Sequence, residues 1–325
     1  MSGVYENTQV GKREDLEDFI YNIDVRNTPF LSRVRSGKKL VRAVFDWQME
    51  KYPKPRWRGV RDGVDASAWE RIHERQLAHG VCQKFWRLPF VSDFAENVSD
   101  VAGVRSEMAR ETRGAMVMLK RDMESRFMGS ALECTTDNGD EAYETRSLGL
   151  WLSANAQALY PVHADFRPAA ALTSTTASGS LLESTFKTIA QAQWTVTGAQ
   201  QDFFMPVGSA VKGQISTFAS FQAAGVTDLR RVAGKADEVK QMVDVIRNDF
   251  ATYHVHLTSF MTPDTAYGEF RWFALDMEQI EVRYNRRPRV VPQEYRGGGD
   301  KAIVDAIAAL AVKNPKAMAK GEATS

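Results

Sequence analysis

The sequence predicts an α+β chain with two packed regions and one long helix. The chain has 325 residues, beyond the ~250 to 300 residues at which a single core usually stops growing. Apolar residues recur at helical spacing over about 100–128, whereas 41–49, 81–87, 239–260 and 268–285 alternate in polarity or are rich in β-branched and aromatic residues. Hydrophobic residues make up 43% and charged residues 26%, close to globular averages, which excludes a wholly disordered or fibrous chain.

Taken in order, residues 1–13 are polar, and "REDLEDFIYNI" then places Leu16, Phe19, Ile20 and Ile23 at helical spacing with acids in the first turn. Thr28-Pro29 should end that short helix, because proline pushes the preceding residue towards an extended backbone, and the chain leaves as an arm. From Val41 the apolar positions Val41, Ala43, Phe45, Trp47 and Met49 alternate with Arg42, Asp46, Gln48 and Glu50, which is the period of a half-buried strand. The pattern dissolves over "KYPKPRWRGVRDGVDASAWERIHE" and resumes in "RQLAHGVCQKFWRLPFV". A strand, a long irregular tip and a returning strand make a projecting hairpin. A structureless loop of this length is expected only where it is functional or meets a partner. Its Trp57 and Trp69, with Arg56, Arg58 and Arg61, are residue types enriched at protein interfaces.

"VSDVAGVRSEMARETRGAMVMLKRDMESRFMGS" carries the strongest helical signal, with Val101, Met108, Thr112, Ala115, Leu119, Met123 and Phe127 on one stripe and Asp122 paired with Arg126 outside. A helix from about Asp100 to Met128 would be roughly 40 Å long, a spine for something elongated. "SLGLWLSANA" and "RPAAALTSTTASGS" read as irregular connection. "LLESTFKTIAQAQW" reads as a helix with Ser180 as a candidate cap, and "DFFMPVGSAVKGQISTF" as strand, turn and short helix. The last segment, "GGGDKAIVDAIAALAVKNPKAMAKGEATS", reads as a glycine hinge, an apolar helix and a polar tail.

A formal net charge of +1 gives no global basic field, so any nucleic-acid contact must be local. The best local candidate is "RVRSGKKLVRA", with Arg33, Arg35, Lys38, Lys39 and Arg42. It lacks interleaved aromatics for base stacking, and direct DNA contact, intersubunit salt bridges and a solvated arm all remain open. Two cysteines, Cys82 and Cys134, give neither a disulfide framework nor a metal pattern. The polar N-terminus carries no signal-peptide core, and no apolar run approaches the ~20 residues of a membrane span, so no membrane association is expected.

Catalytic signatures are missing. His254 and His256 share a face of an expected strand but lack a third ligand at supporting spacing. "YRGGGD" has glycines without a phosphate-loop pattern, and Asp122, Glu124, Asp137, Asp140 and Glu141 read as solvated carboxylates. No G-x-S-x-G is present. No cofactor, metal site or catalytic residue is expected.

Several local patterns, in order, carry a resemblance: "YEN…VGKREDLEDFIYNI…TPFLSRV", "FDWQMEKY", "LKRDMESRFMG", "VDVIRNDFATYHV" and "KNPKAMA". Spread from Val4 to about Ala319, they make the sequence resemble major capsid proteins of tailed bacteriophages with the Hong Kong 97-like fold. The resemblance is loose in "WERIHERQLAHGVCQKFWRL" and over 150–220.

The resemblance implies an N-terminal arm over 1–40, an extended hairpin loop over 41–92, and a peripheral domain with the spine helix over 93–145. An axial domain over 146–250 and return strands of the peripheral domain with a C-terminal segment over 251–325 follow. The arm, with Phe30, Leu31, Arg33 and Arg35, would wrap a neighbour, and the loop, with Arg56, Trp57, Arg58, Arg61 and Trp69, would lie over the adjacent subunit. Met108, Leu119, Met123 and Phe127 would mark the spine.

The implied function is a shell protein forming pentamers and hexamers of an icosahedral head, assembled in the host cytoplasm, with packaged double-stranded DNA on its inner face. Portal and decoration proteins are implied partners, and a separate scaffolding protein is expected because "MSGVYEN" starts almost at the first helix. Nothing in the sequence identifies an acceptor for a covalent cross-link from Lys51 or Lys54. The alternatives are the shell of a protein-cargo nanocompartment and, from another class, a soluble metal-dependent enzyme using His254 and His256.

Overall fold

The structure, a computed structural model, describes residues 28–324 except 54, 56, 64, 66–68, 70–72, 98–105, 178–180, 217, 219–243 and 262–269. The helix expected over Leu16 to Ile23, the cap Ser180, Val101 and Arg56 lie outside the described residues.

One sheet runs in the order β1 (Arg35–Ser36), β11 (Ile280–Pro292), β12 (Asp300–Val312) and β4 (Gln83–Arg87), with β5 (Phe90–Val91) pairing the start of β12. A six-stranded sheet runs in the order β6 (Thr173–Ala177), β13 (Ala319–Thr324), β10 (Trp272–Ala274), β7 (Gln201–Val207), β9 (Ala251–Leu257) and β8 (Val245–Arg247). β2 (Val44–Lys51) and β3 (Glu74–Val81) pair only with each other as an antiparallel ribbon, from Val44 opposite Val81 to Lys51 opposite Glu74.

The long helix α2 (Glu107–Phe127) lies on the five-stranded sheet. Ser106 caps it, its hydroxyl accepting from the Ala109 amide at 3.2 Å, so one of the orphan N-terminal donors is satisfied. Of the expected stripe, Ala115, Leu119, Met123 and Phe127 are buried, and Met108 and Thr112 are half-buried. With 21 residues the described helix is about 32 Å long at 1.5 Å per residue, shorter than the sequence suggests. Phe127 meets Phe30 and Phe85 edge to face at centroid distances of 6.5 and 6.1 Å. The pair expected between Asp122 and Arg126 does not form. Asp122 instead accepts two bonds from Arg87 at 2.5 and 2.6 Å, and Arg126 donates to the Thr145 and Glu133 carbonyls and pairs with Glu144.

The largest departure from expectation is β12, read from sequence as an apolar helix. Its Ala and Leu residues are good helix formers, but Val304, Ala306, Ala308, Leu310 and Val312 all enter the core under α2 while β11 and β4 hydrogen-bond its two edges. A strand buried on both faces loses its polar alternation, which is why it mimics a buried helix. The following tail is also a strand, β13, parallel to β6. The glycine run is the turn that joins β11 to β12, with Gly297, Gly298 and Gly299 at φ of 81°, 90° and 141°, a path that side chains resist.

A second core lies in the six-stranded sheet. Phe186, Ile189 and Ala190 of α4 (Glu183–Thr197) and Val211 and Ile215 of α5 (Ser209–Ser216) are buried with Phe203, Met205, Tyr253, Val255 and Trp272. Leu182 occupies the N-cap of α4 without a side-chain bond. The two packed regions expected from chain length are therefore present, but 251–325 does not serve one of them alone. β9, β10 and β13 belong to the six-stranded sheet, and β11 and β12 to the other. "SLGLWLSANA" is not irregular throughout: α3 (Leu148–Trp151) is a short buried helix in the first core.

Candidate intersubunit surfaces

The ribbon of β2 and β3 is anchored at its root, and the large apolar residues described at its tip stand exposed. Met49 and Ala78 enter the first core, and Gly80 sits opposite Phe45, where a Cβ would lie 2.4 Å from the Phe45 ring. The Trp47 indole N–H donates to the Lys313 carbonyl at 3.1 Å and its ring packs on Trp151 at 5.6 Å, while Arg283 stacks over Phe45 and Trp47. Along the ribbon, Asp46 meets His79 at 2.6 Å, Glu50 meets Arg75 at 2.9 Å and Lys51 meets Asp165 at 2.8 Å. Strand pairing stops at Lys51 and Glu74. Beyond it Tyr52, Trp57, Val60 and Trp69 are 71%, 84%, 84% and 91% exposed. Arg58 stacks on Trp57 at 4.8 Å, and Arg61 is exposed. Val41, counted with the strand from its alternation, precedes it and is exposed.

A second apolar surface, which the sequence reading did not single out, lies at the far edge of the five-stranded sheet. Trp86, Leu88, Phe90 and Phe94 are each more than half exposed, on β4, the link to β5, β5 itself and the short helix α1 (Asp93–Asn97). Lys84 and Lys301 stack over Trp86 and Phe90 at 4.9 and 5.5 Å. In β4 Phe85 points inward and Trp86 outward, so the adjacent aromatics "FW" were the available signal.

The expected arm residues divide. Phe30 is fully buried in its own subunit's core and Leu31 packs against it, whereas Arg33 and Arg35 are exposed. Arg33 stacks over Phe204 at 4.7 Å and Arg35 approaches Glu278 at 3.7 Å. The arm root is held by Glu124, read from sequence as a solvated carboxylate but fully buried in the structure. Its two oxygens accept from the Phe30 and Leu31 amides at 2.7 and 2.8 Å. Burial pushes its pKa up to about 7, and the two amide bonds pull back only part of that. Among the marked spine residues, Leu119, Met123 and Phe127 are core and Met108 is half-buried.

His254 and His256 do share a face of β9. Burial, with Arg33 and Lys212 nearby, holds His256 below the usual histidine range. Among the described residues no group of three His, Cys, Asp or Glu side chains is placed to hold a metal. Cys82 and Cys134 are free thiols, and burial pushes Cys134 up to about 11. Asp137, Asp140 and Glu141 are exposed around a turn.

A spine helix on one sheet, a second sheeted region and a ribbon whose tip tryptophans Trp57 and Trp69 stand exposed define a shell-building subunit of the Hong Kong 97-like α+β class. Residues 3–325 match the model of the SU10 major capsid protein family, and the chain belongs to that family. It is a phage capsid protein, and its family is one of structural virion components. The capsid of cyanophage A-1(L) is similar at a TM-score of 0.66 and 12% identity, covering 95% of this chain and 96% of that one. The capsid of a native GTA particle is similar at 0.60 and 12%, covering 98% and 97%. A holo-SrpI encapsulin complex from Synechococcus elongatus PCC 7942 is similar at 0.55 and 9%, covering 96% and 92%. Among curated proteins none matches. No described helix is long and apolar enough to cross a membrane.

Proposed function

We propose that copies of this chain form the pentamers and hexamers of an icosahedral head that encloses double-stranded DNA, and that its role is structural, with no catalytic step. The observation that carries this reading is the ribbon tip. Trp57 and Trp69 stand 84% and 91% exposed on a loop fixed at its base by core contacts. Two aromatic side chains bury on the order of 300–500 Å² when covered, too much to leave in water without a partner. The tip is held at the base of the ribbon, and in this reading its tryptophans are covered only on another subunit. The exposed surface of Trp86, Leu88, Phe90 and Phe94 offers the receiving face that the tip needs.

In this reading the five-stranded sheet with α2 is the peripheral domain and the six-stranded sheet with α4 and α5 the axial domain. The arm over 1–40 meets a neighbour, with Arg33 and Arg35 exposed for that contact. Assembly takes place in the host cytoplasm, with a separate scaffolding protein and with portal and decoration proteins as further partners. Each contact is modest, and closure of the shell multiplies it.

The test is Trp57→Ala with Trp69→Ala in the full chain, examined by electron microscopy and sedimentation. The subunit should fold normally and assemble poorly, because interface aromatics of this kind each carry about 2 kcal/mol or more. Normal particles from the double variant would refute the tip assignment. The encapsulin likeness supports a second reading, a compartment around protein cargo. Nuclease-resistant DNA inside purified particles distinguishes the head from it.

A further inference from the structure

We infer that the edge of the five-stranded sheet is a binding strip for a phosphate polyanion, and that its occupant in the shell is the backbone of the enclosed DNA. Basic residues from the two ends of the chain meet there. β1 runs parallel to β11, with Arg35 beside Glu281 and Ser36 beside Val282. The chain stays on that edge afterwards: the Gly37 amide donates to the Val282 carbonyl at 2.9 Å and the Leu40 amide to the Tyr284 carbonyl at 3.1 Å. The Asn285 side chain then holds the Leu40 carbonyl at 2.8 Å, and the Arg287 guanidinium reaches the Ser36 hydroxyl at 3.3 Å. Lys38, Lys39 and Arg42, all exposed, thus belong to the stretch of chain that follows this edge, on which Arg287 is exposed too.

The acids on this border are already engaged. Glu281 is held by Arg283 and Lys313, and Asp305 by both Arg286 and Arg289, leaving an excess of positive charge. Among the described residues Lys38, Lys39, Arg42 and Arg287 form no salt bridge. In a chain of net charge +1 this is a local concentration of field. Among the described residues of the strip, 35–42 and 281–287, the one aromatic ring is Tyr284, on which Arg287 itself stacks. It therefore suits sequence-independent phosphate contact and not base stacking.

The inference rests on the shell reading for the identity of the polyanion, and its test separates the two. Binding of the unassembled full-length chain to duplex DNA is measured by fluorescence anisotropy between 50 and 200 mM salt, on the order of the range where phosphate contacts titrate. Lys38→Gln, Lys39→Gln and Arg42→Gln together should weaken binding and lower the slope of log K against log salt by about 3, near 0.9 for each lost phosphate contact. Lys187→Gln on α4 is the remote control. These side chains are exposed, so the triple variant should fold, which circular dichroism verifies. Unchanged affinity and slope would overturn the strip. Loss of binding to polyglutamate with duplex binding intact would also overturn it, by making the occupant an acidic protein. Failure of the wild-type chain to form shells in the microscope would instead count against the head assignment and leave the duplex measurement standing.

Discussion

Glu124 is fully buried, forms no salt bridge among the described residues, and spends both oxygens on the amides that open the arm root. Its carboxyl rises from 4.5 to about 7, which at about 1.4 kcal/mol per pKa unit corresponds to about 3–4 kcal/mol. The folded state therefore keeps a proton that the unfolded chain releases from 4.5 upward. The associated stability is full below pH 4.5 and is lost as pH rises through about 7. Glu124→Gln removes the titration. Its carbonyl can still accept from Phe30, but its NH₂ faces the Leu31 amide, so the variant should lose about 1–3 kcal/mol in acid. Near pH 8 the wild type has shed its own advantage and the two proteins should be close in stability. The assay is guanidinium unfolding of unassembled subunits followed by tryptophan fluorescence from about pH 5 to 8.5, read as the difference between wild type and variant so that other groups cancel. A difference that stays constant with pH would refute the reasoning, as would a wild type that gains stability over the variant as pH rises.

Two further outcomes follow from packing and charge. Gly80→Ala drives a methyl into the Phe45 ring, 2.4 Å from its nearest atom, and should lower subunit stability by about 1–3 kcal/mol, with part of the loss recovered when Phe45→Leu is added; additive losses would show that the two do not touch. Burial pushes the Asp305 carboxyl up, but the hydrogen bonds from Arg286 and Arg289 outweigh it and hold the group below its usual value. Asp305→Asn should cost about 1–2 kcal/mol at neutral pH, a discounted figure because both arginines stay partly in water. The cost should shrink as pH falls through the folded carboxyl's own range, and a guanidinium midpoint difference that does not change in acid would contradict this.

The elements legible in the sequence are those whose burial is set locally. The period-2 run of the ribbon survives as Phe45, Trp47 and Met49 turned inward from Asp46, Gln48 and Glu50, because a strand with one wet face keeps its alternation. The stripe of α2 survives for the same reason at helical spacing. The tip was legible through what it lacked, a core pattern around Trp57 and Trp69. The second aromatic surface was passed over because Trp86 sits next to Phe85 and the pair reads as one apolar run.

By itself the sequence determined the α+β composition, the spine, the ribbon and the family, since each is written in neighbouring residues or in their order along the chain. Only the tertiary structure decided that "AIVDAIAALAV" is a strand, because its flanking strands and the helix above it come from elsewhere in the chain. It also decided that Glu124 is a buried clasp, with its partners 94 and 93 residues away, and that the chain around Ser36 and Leu40 lies against Arg287 and Asn285. In each case the free energy of a residue is set by neighbours that a local pattern cannot contain.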